Sequence, residues 1–474
     1  MEHAAIECVN FIRSYINHRQ QVFILCGPGN NGGDGLAIAR LLHLENYNVV
    51  CYCPKKQYMS DAEKVQFEII QNLQIPFTHD YDEAIEWIHS SPFLIDALFG
   101  NGLSRAIEGN YRLLIEASNQ TDNLIFSVDI PSGIHATKGT ILGCAICADY
   151  TISLDCFKVG QWIRDGIDLC GKKVCVDIGI PYMLHKNALD PIQVLDKEWV
   201  RSIFPQRSHS SHKGIFGKAL MIGGSASMPG AISMAAKACY HSGVGTLTLM
   251  VPNCIADLLA MKLDVAMLLR GSSHNETFDR SAVGLLKNSI DKFTHVSIGN
   301  GMQKNSATEA LLDCALHSDL PVIIDADAIE SAGKHLDWLY REAPVILTPH
   351  MKEMSDLTGK SIDDILTQPF DCVRNFCSEF PNCVLVLKSD QTLIAHGHEI
   401  YVLDAPNHAL AKGGSGDLLC GIITGLYGQC CDAFTAAICG VYLHSLAGKS
   451  DLDGAVFQPD DLIQNLDSAF KQMR

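Results

Sequence analysis

Val22-Phe-Ile-Leu-Cys-Gly-Pro-Gly-Asn-Asn-Gly-Gly-Asp-Gly35 joins a short apolar run to a glycine-rich turn and then opens onto a helical period over residues 35–44. An unbroken apolar run reads as a strand buried on both faces. A glycine turn leading from it into a helix leaves unpaired N–H groups that seat an anion. The same alternation continues with apolar runs at 49–53, 93–98, 124–129, 150–154 and 174–178. Strands separated by helical stretches pair in parallel with helices on both faces, so this half reads as a Rossmann-like three-layer α/β domain.

Residues 181–214 are polar, contain proline and have weak periodicity, which places a boundary near 186–194 and divides the chain into domains 1–190 and 191–474. A second alternation follows, with strands expected at 218–222, 245–251, 296–298, 322–324, 345–347 and 384–387. Residues 392–395 and 400–403, joined through His396-Gly-His398, read as a hairpin, so this second α/β sheet is mixed. The apolar stretch 418–448 is long enough to suggest a membrane span. Asp432 and a break at Gly425 to Gly428 divide it instead into two final buried helices, expected over 414–426 and 433–446.

The 474 residues are 47% hydrophobic and only 19% charged, as in a well-buried globular protein of two or three domains. A formal charge of −17 excludes a nucleic-acid backbone as the natural partner, because such binding draws on clustered Lys and Arg. The 19 cysteines follow no regular spacing and no secretory signal precedes them, which implies reduced thiols in the cytoplasm. Cys144-Ala-Ile-Cys147 has no second pair to complete a zinc site.

The first glycine turn does not follow the GxGxxG order of a dinucleotide fold, and no acid follows the second strand to hold a ribose. Asn30, Asn31 and Asp34 suit a hydroxyl or ion ligand better than a pyrophosphate alone. Two further strand ends carry an aspartate followed by glycine, in Asp96-Ala-Leu-Phe-Gly-Asn-Gly-Leu-Ser-Arg105 and Asp129-Ile-Pro-Ser-Gly133. One such aspartate would be read as a turn cap; three loops on one sheet edge favour a ligand site.

These stretches, with Asp155-Cys-Phe-Lys158, resemble the NAD(P)H-hydrate epimerase domain. The resemblance implies that Asn30, Asn31, Gly32, Gly33 and Asp34, with Gly100, Asn101, Gly102, Leu103, Ser104, Arg105 and Ala106, hold the hydrated dinucleotide. It also implies a potassium ion on Asn31, Asp96 and Ser132, and Asp129 as the general acid or base. The family carries a further site-forming segment ahead of the helix that Met1 opens; none stands in this sequence, so epimerase ancestry is the firmer expectation and epimerase activity the next.

Ala411-Lys-Gly-Gly-Ser-Gly-Asp417 brings backbone N–H groups and a carboxylate together at the start of a long apolar helix. Such a pairing stabilises a moving phosphoryl group while the acid takes a proton from an attacking hydroxyl. With His212-Lys-Gly-Ile-Phe-Gly217, Gly223-Gly-Ser-Ala-Ser-Met-Pro-Gly-Ala231, Asp325-Ala-Asp327, Thr348-Pro-His350-Met-Lys-Glu353 and Lys388-Ser-Asp-Gln-Thr392, it resembles the ADP-dependent NAD(P)H-hydrate dehydratase domain, a ribokinase-like α/β fold. The resemblance runs from about residue 194 to the C-terminus. It implies that Lys388, Ser389, Asp390, Gln391, Thr392, Asn407, Lys412, Gly413, Gly414, Ser415 and Gly416 bind ADP. Ala231, Gly301, His350, Met351, Lys352, Glu353 and Asp417 would meet the hydrated nicotinamide, Asp417 catalytically. Ser389 stands where the family has glycine, and His350 also reads as a structural residue after a Thr-Pro turn.

Together the halves resemble the bifunctional NAD(P)H-hydrate repair enzymes: epimerisation of the R and S hydrates, then ADP-dependent dehydration of the S form, giving AMP and phosphate. ADP as co-substrate, potassium, magnesium and assembly as a homo-oligomer are implied with it. Two other readings remain open from the sequence, a ribokinase-superfamily small-molecule kinase and a non-catalytic N-terminal binding or dimerisation module.

Overall fold

The computed structural model describes residues 1–186, 192–405, 407–449 and 452–474. The chain divides into two compact units, Met1–Ala188 and Leu189–Arg474. The boundary expected between 190 and 191 lies outside the described residues.

In the first unit β1 (Gln21–Cys26), β2 (Asn48–Tyr52), β3 (Phe77–Thr78), β4 (Phe93–Ala97), β5 (Leu124–Val128), β6 (Tyr150–Leu154) and β7 (Lys172–Val176) form one parallel sheet in the order β3-β2-β1-β4-β5-β6-β7. The apolar run of β1 shows why both faces are covered. Val22, Ile24 and Cys26 pack with Val9, Ile12, Ile38 and Leu42, while Phe23 and Leu25 pack with Ala84, Ile88 and Leu114. Each large side chain so buried contributes about 1.5–3 kcal/mol. The strand order reverses between β1 and β4, which opens a crevice at their carboxyl ends. The six expected strands appear within two residues of their expected bounds; β3 is too short to carry a period.

The second unit contains β8 (Ile192–Val194), β9 (Lys218–Ile222), β10 (Thr246–Pro252), β11 (Met267–Gly271), β12 (Ser273–His274), β13 (Thr277–Phe278), β14 (His295–Ile298), β15 (Val322–Ile324), β16 (Val345–Leu347), β17 (Cys383–Leu387), β18 (Thr392–His396) and β19 (Glu399–Leu403). Ten of them make one sheet, β11-β10-β9-β14-β15-β16-β17-β18-β19-β8, with β12 and β13 as a separate ribbon. Pairing is parallel from β11 to β17, antiparallel through β18 and β19, and parallel again to β8. The expected hairpin turns at Gly397, whose φ of 56° favours glycine. β8 lies in the stretch that the sequence marks as weakly periodic, and three residues give no period to read. Here the order reverses between β9 and β14.

The expected helix break at Gly425 to Gly428 is absent. One helix runs Ser415–Cys430 through both glycines, and the chain turns at Cys431, φ 55°. The glycines serve packing: a Cβ on Gly421 would stand 2.2 Å from Ala235 O, and one on Gly425 2.4 Å from Cys239 O, so this helix lies directly on the helix Pro229–His241. The helix Ala433–Ala447 is not the last either. Pro459–Met473 follows it, burying Leu462, Ile463, Leu466, Ala469 and Met473 at helical spacing. Among the described residues, no helix is long and apolar enough to cross a membrane.

Candidate active sites

In the first crevice the loops after β1 and β4 touch. Gly27 N–H donates to Ala97 O at 3.0 Å, and a Cβ on Gly27 would stand 1.8 Å from Leu98 O. Gly29, at φ 122°, turns the chain into the helix Asn30–Leu44. Asp129 ends β5 in the left-handed region, at φ 71°, and its Oδ2 accepts Asn101 N–H at 3.3 Å. A Cβ on Gly100 would stand 3.2 Å from Asn31 Oδ1 and 3.3 Å from Asp129 Oδ2. Asn31, Gly100, Asn101 and Asp129 thus converge from three strand ends. Asn101, Gly102, Ser104, Arg105 and Ala106 are exposed, Leu103 is half-buried, and Gly32, Gly33 and Asp34 are buried within the helix Asn30–Leu44.

Lys158 was not assigned a role from sequence, although it closes the stretch after β6. Its ammonium pairs with Asp129 Oδ1 and donates to Leu154 O at 3.0 Å and Cys156 O at 2.9 Å. Burial pushes the Asp34 carboxyl up to about 7, with the Met1 amine opposing and the charge of Asp129 adding.

Asp96 and Ser132 satisfy each other. The buried Asp96 accepts Leu98 N–H at 3.2 Å and Ser132 Oγ–H at 2.6 Å on Oδ1, and Ser127 Oγ–H and Ser132 N–H, both at 2.8 Å, on Oδ2. Replacing Asp96 with alanine leaves these four donors without their acceptor. Asp96→Ala is expected to destabilise the first unit by about 3–5 kcal/mol, read from its urea-unfolding midpoint; a loss below about 1 kcal/mol would refute the clamp.

Glu63 also went unread. It reaches from the helix Asp61–Asn72 to accept Gly29 N–H at 2.8 Å and Ser60 N–H at 3.2 Å, fixing the glycine turn. Burial pushes its carboxyl up to about 7, against the pull of those two N–H groups. A carboxyl raised on folding adds stability that is full below its unfolded value and is lost as pH rises through the folded one. Glu63→Gln should therefore leave the melting temperature unchanged near pH 4 and raise it above about pH 7, by the equivalent of about 1–2 kcal/mol. A drop at high pH would show that the charged form holds the turn.

In the second crevice Asp417 stands in the first turn of Ser415–Cys430, after Gly414 at φ 94°. Asn300, between two glycines after β14, donates to Asp417 Oδ1 at 2.8 Å and to Asp325 Oδ2 at 2.9 Å. Asp325 Oδ1 accepts Thr348 Oγ1–H at 2.6 Å and Lys388 Nζ–H at 2.9 Å, and Lys388 lies 3.8 Å from Glu353 Oε2. Burial pulls Lys388 down, but Asp325 and Glu353 outweigh it and hold the ammonium above the ordinary lysine value. Burial and the charge of Asp325 push Asp417 up to about 6, against Asn300 and Lys388. A Cβ on Gly416 would stand 3.3 Å from Lys388 Nζ, so the glycine loop and this lysine meet. Gly301 meets Ala231, a Cβ there standing 3.0 Å from Ala231 Cβ.

His350 caps the helix Met351–Thr358. Its Nδ1 accepts Lys352 N–H at 3.1 Å and Glu353 N–H at 3.2 Å, while Glu353 Oε2 accepts His350 N–H at 2.8 Å. Half of its imidazole stays exposed. Lys352 pairs with Asp356, and Met351 is half-buried. Lys412 donates to Ala455 O at 2.7 Å and Phe457 O at 2.5 Å, strapping that loop down beside exposed Gly413. Ser415 Oγ lies 3.2 Å from Nε2 of the buried His444, which burial pushes down to about 4. Beside this loop a cavity of about 320 Å³ is lined by Asp404, Asn407, His408, Ser445 and Lys449. Ser389 and Asp390 are exposed at the β17–β18 turn, Thr392 is half-buried, and the buried Gln391 donates to Asp404 Oδ1 at 3.2 Å.

Residues 219–467 match the profile of the NAD(P)H-hydrate dehydratase family, and residues 1–160 that of the YjeF-related protein N-terminus. A bifunctional NAD(P)H-hydrate repair enzyme of Moorella thermoacetica is 32% identical, over 94% of this chain and 87% of its own. The chain belongs to the bifunctional NAD(P)H-hydrate repair enzyme family. A second member, from Coxiella burnetii, is 32% identical over 90% of this chain and 85% of its own. The ADP/ATP-dependent NAD(P)H-hydrate dehydratase of Bacillus subtilis, crystallised with ATP and Mg2+, superposes with a TM-score of 0.53 at 28% identity, over 60% of this chain and 99% of its own. That match carries the ribokinase-like fold expected for the second domain. Membership in the repair family, across both halves, disfavours the small-molecule kinase reading.

Proposed function

We propose that the chain repairs hydrated NADH and NADPH in two steps. The first unit interconverts the R and S hydrates. The second uses ADP to dehydrate the S form, releasing AMP and phosphate. The observation that carries this reading is the pair of carboxylates, Asp129 and Asp417, each tied by a named donor to the strand-order reversal of its own sheet, Asp129 through Asn101 after β4 and Asp417 through Asn300 after β14. Ligands gather at such reversals, and proton transfer needs a carboxylate within reach of the reacting atom.

In the first unit Asp129 would act as general acid or base at the hydroxylated ring carbon, with Lys158 fixing one oxygen and leaving the other toward Asn31 and Gly100. Residues 30–34 and 100–106 would hold the dinucleotide. In the second, the ring hydroxyl would give its proton to Asp417 as its oxygen bonds to the β-phosphorus of ADP and AMP departs. The first-turn N–H groups after Gly414, with Lys388, would meet the charge that develops. Phosphate then leaves with the C–O electron pair while the neighbouring ring carbon gives up a proton to solvent, which restores the ring double bond, because phosphate leaves more readily than hydroxide. The cavity beside Asn407 would take the nucleoside, and residues 388–392 and 412–416 the phosphates. Ala231, Gly301 and residues 350–353 would border the nicotinamide.

Asp325 and Glu353 are committed to Lys388, Thr348, Asn300 and His350, so magnesium would ride on the nucleotide phosphates and neutralise their charge. Oxygen donors on Asn31, Asp96 and Ser132 suit potassium by type. All four acceptor positions of Asp96 are filled, however, so the residues as folded do not fit the ion unless a hydrogen bond is given up. Self-association and a cytoplasmic location belong to the same proposal.

The test is to incubate mixed hydrate epimers of NADH with the protein and ADP and to follow the reduced-nicotinamide absorbance. Complete recovery is expected. Recovery of one epimer alone would remove the first unit from the reaction, and no recovery would overturn the reading.

A further inference from the structure

Asn300 is a buried side chain that enters the chemistry above only as the donor to Asp417. It follows β14 at the strand-order reversal, between Gly299 at φ 131° and Gly301 at φ 66°. A Cβ on Gly299 would stand 1.7 Å from Asp325 O, so only glycine lets the chain deliver Asn300 at that point. Its carbonyl is anchored by Gly224 N–H at 2.8 Å, and the residue is fully buried. The amide's N–H bonds go to Asp417 Oδ1 at 2.8 Å and Asp325 Oδ2 at 2.9 Å. Its oxygen faces the Cys420 thiol at 3.5 Å, and that thiol lies 3.3 Å from Ser297 Oγ. Cys420 sits one turn beyond Asp417 on the same helix. A flipped amide would aim its oxygen at two carboxylates, so the thiol and the carboxylates together select one orientation.

We propose that Asn300 is a positioning residue for Asp417: oriented by Cys420, its amide fixes the carboxylate by one oxygen and leaves the other to take the substrate proton. This rests on the reading of Asp417 as the base in dehydration.

The groups that act on Asp417 come from several elements. Asp325 after β15 and Asp327 on the helix Asp327–Lys334 disfavour its charge; Asn300 and Lys388, after β17, favour it. Glu353 stands behind Lys388, Cys420 lies on the same helix as Asp417, and His444 lies against Ser415. Burial is the largest influence and pushes the carboxyl up to about 6. Removing the amide donor favours the neutral acid further, so the base is lost at a higher pH than before.

The experiment is the pH dependence of kcat for ADP-dependent dehydration of the S hydrate by the full chain, in the wild type, Asn300→Leu, Cys420→Val and Cys420→Ser. Asn300→Leu is expected to lower kcat by about 10–100-fold and to move the acid limb up by about one pH unit, with the KM for ADP within about twofold. Cys420→Val should move the limb in the same direction by less, and Cys420→Ser, which keeps a donor, should restore it. The Cys420 pair decides the matter if Asn300→Leu does not fold. An acid limb unmoved in Asn300→Leu, or in Cys420→Val, while the wild type dehydrates the hydrate, overturns the role of Asn300 alone. A wild type inactive on the hydrate overturns the underlying reading of the reaction.

Discussion

Asp417→Asn should remain folded while the ADP-dependent return of reduced-nicotinamide absorbance falls by at least about 10³-fold. The substitution keeps the side chain's length and an oxygen that can still accept the Asn300 N–H, which in the wild type lies 2.8 Å from Oδ1. What it removes is the ability to take a proton. Stability should move the other way. Folding raises this carboxyl to about 6, so its charged form costs stability once pH exceeds that value, and the asparagine variant should melt no lower than wild type at about pH 8. A folded variant with activity within about tenfold of wild type would take the base away from Asp417.

The second large effect concerns Asp129. With mixed epimers and ADP, Asp129→Asn should recover absorbance only up to the share already in the reactive configuration, then creep at the spontaneous epimerisation rate. The catalysed epimerisation should fall by about 10²–10⁴-fold. This substitution leaves Lys158 without the carboxylate it pairs with, and a stranded, largely buried ammonium costs about 3–5 kcal/mol. The double variant Asp129→Asn, Lys158→Met separates the two consequences, because it restores stability without restoring a proton acceptor. Full recovery at the wild-type rate by either variant would move the chemistry away from Asp129.

Much of this was legible in the sequence because the deciding signals are local. An unbroken apolar run such as 22–26 is read from its own residues, as is a glycine turn that ends on an aspartate. Both carboxylates were found that way, as strand-end or helix-start acids. What stayed hidden depends on partners far along the chain. Glu63 reaches Gly29 across 34 residues, Lys158 reaches Asp129 across 29, and Asn300 reaches Asp417 across 117. Only for Asn300 was there a local hint, an amide set between two glycines after a buried strand. The glycines of 415–430 were read as a break for the opposite reason: their neighbour, the helix Pro229–His241, lies outside any local window.

That backbone-to-backbone seat also sets where the second active site is open to change. With 2.2 Å and 2.4 Å left for a Cβ at Gly421 and Gly425, the helix that carries Asp417 behaves as a fixed rail. Under the assignment proposed above, variation in the nucleotide this site takes, whether by drift or by design, is therefore expected in the loops around Asn407 and Ser389 rather than along that helix.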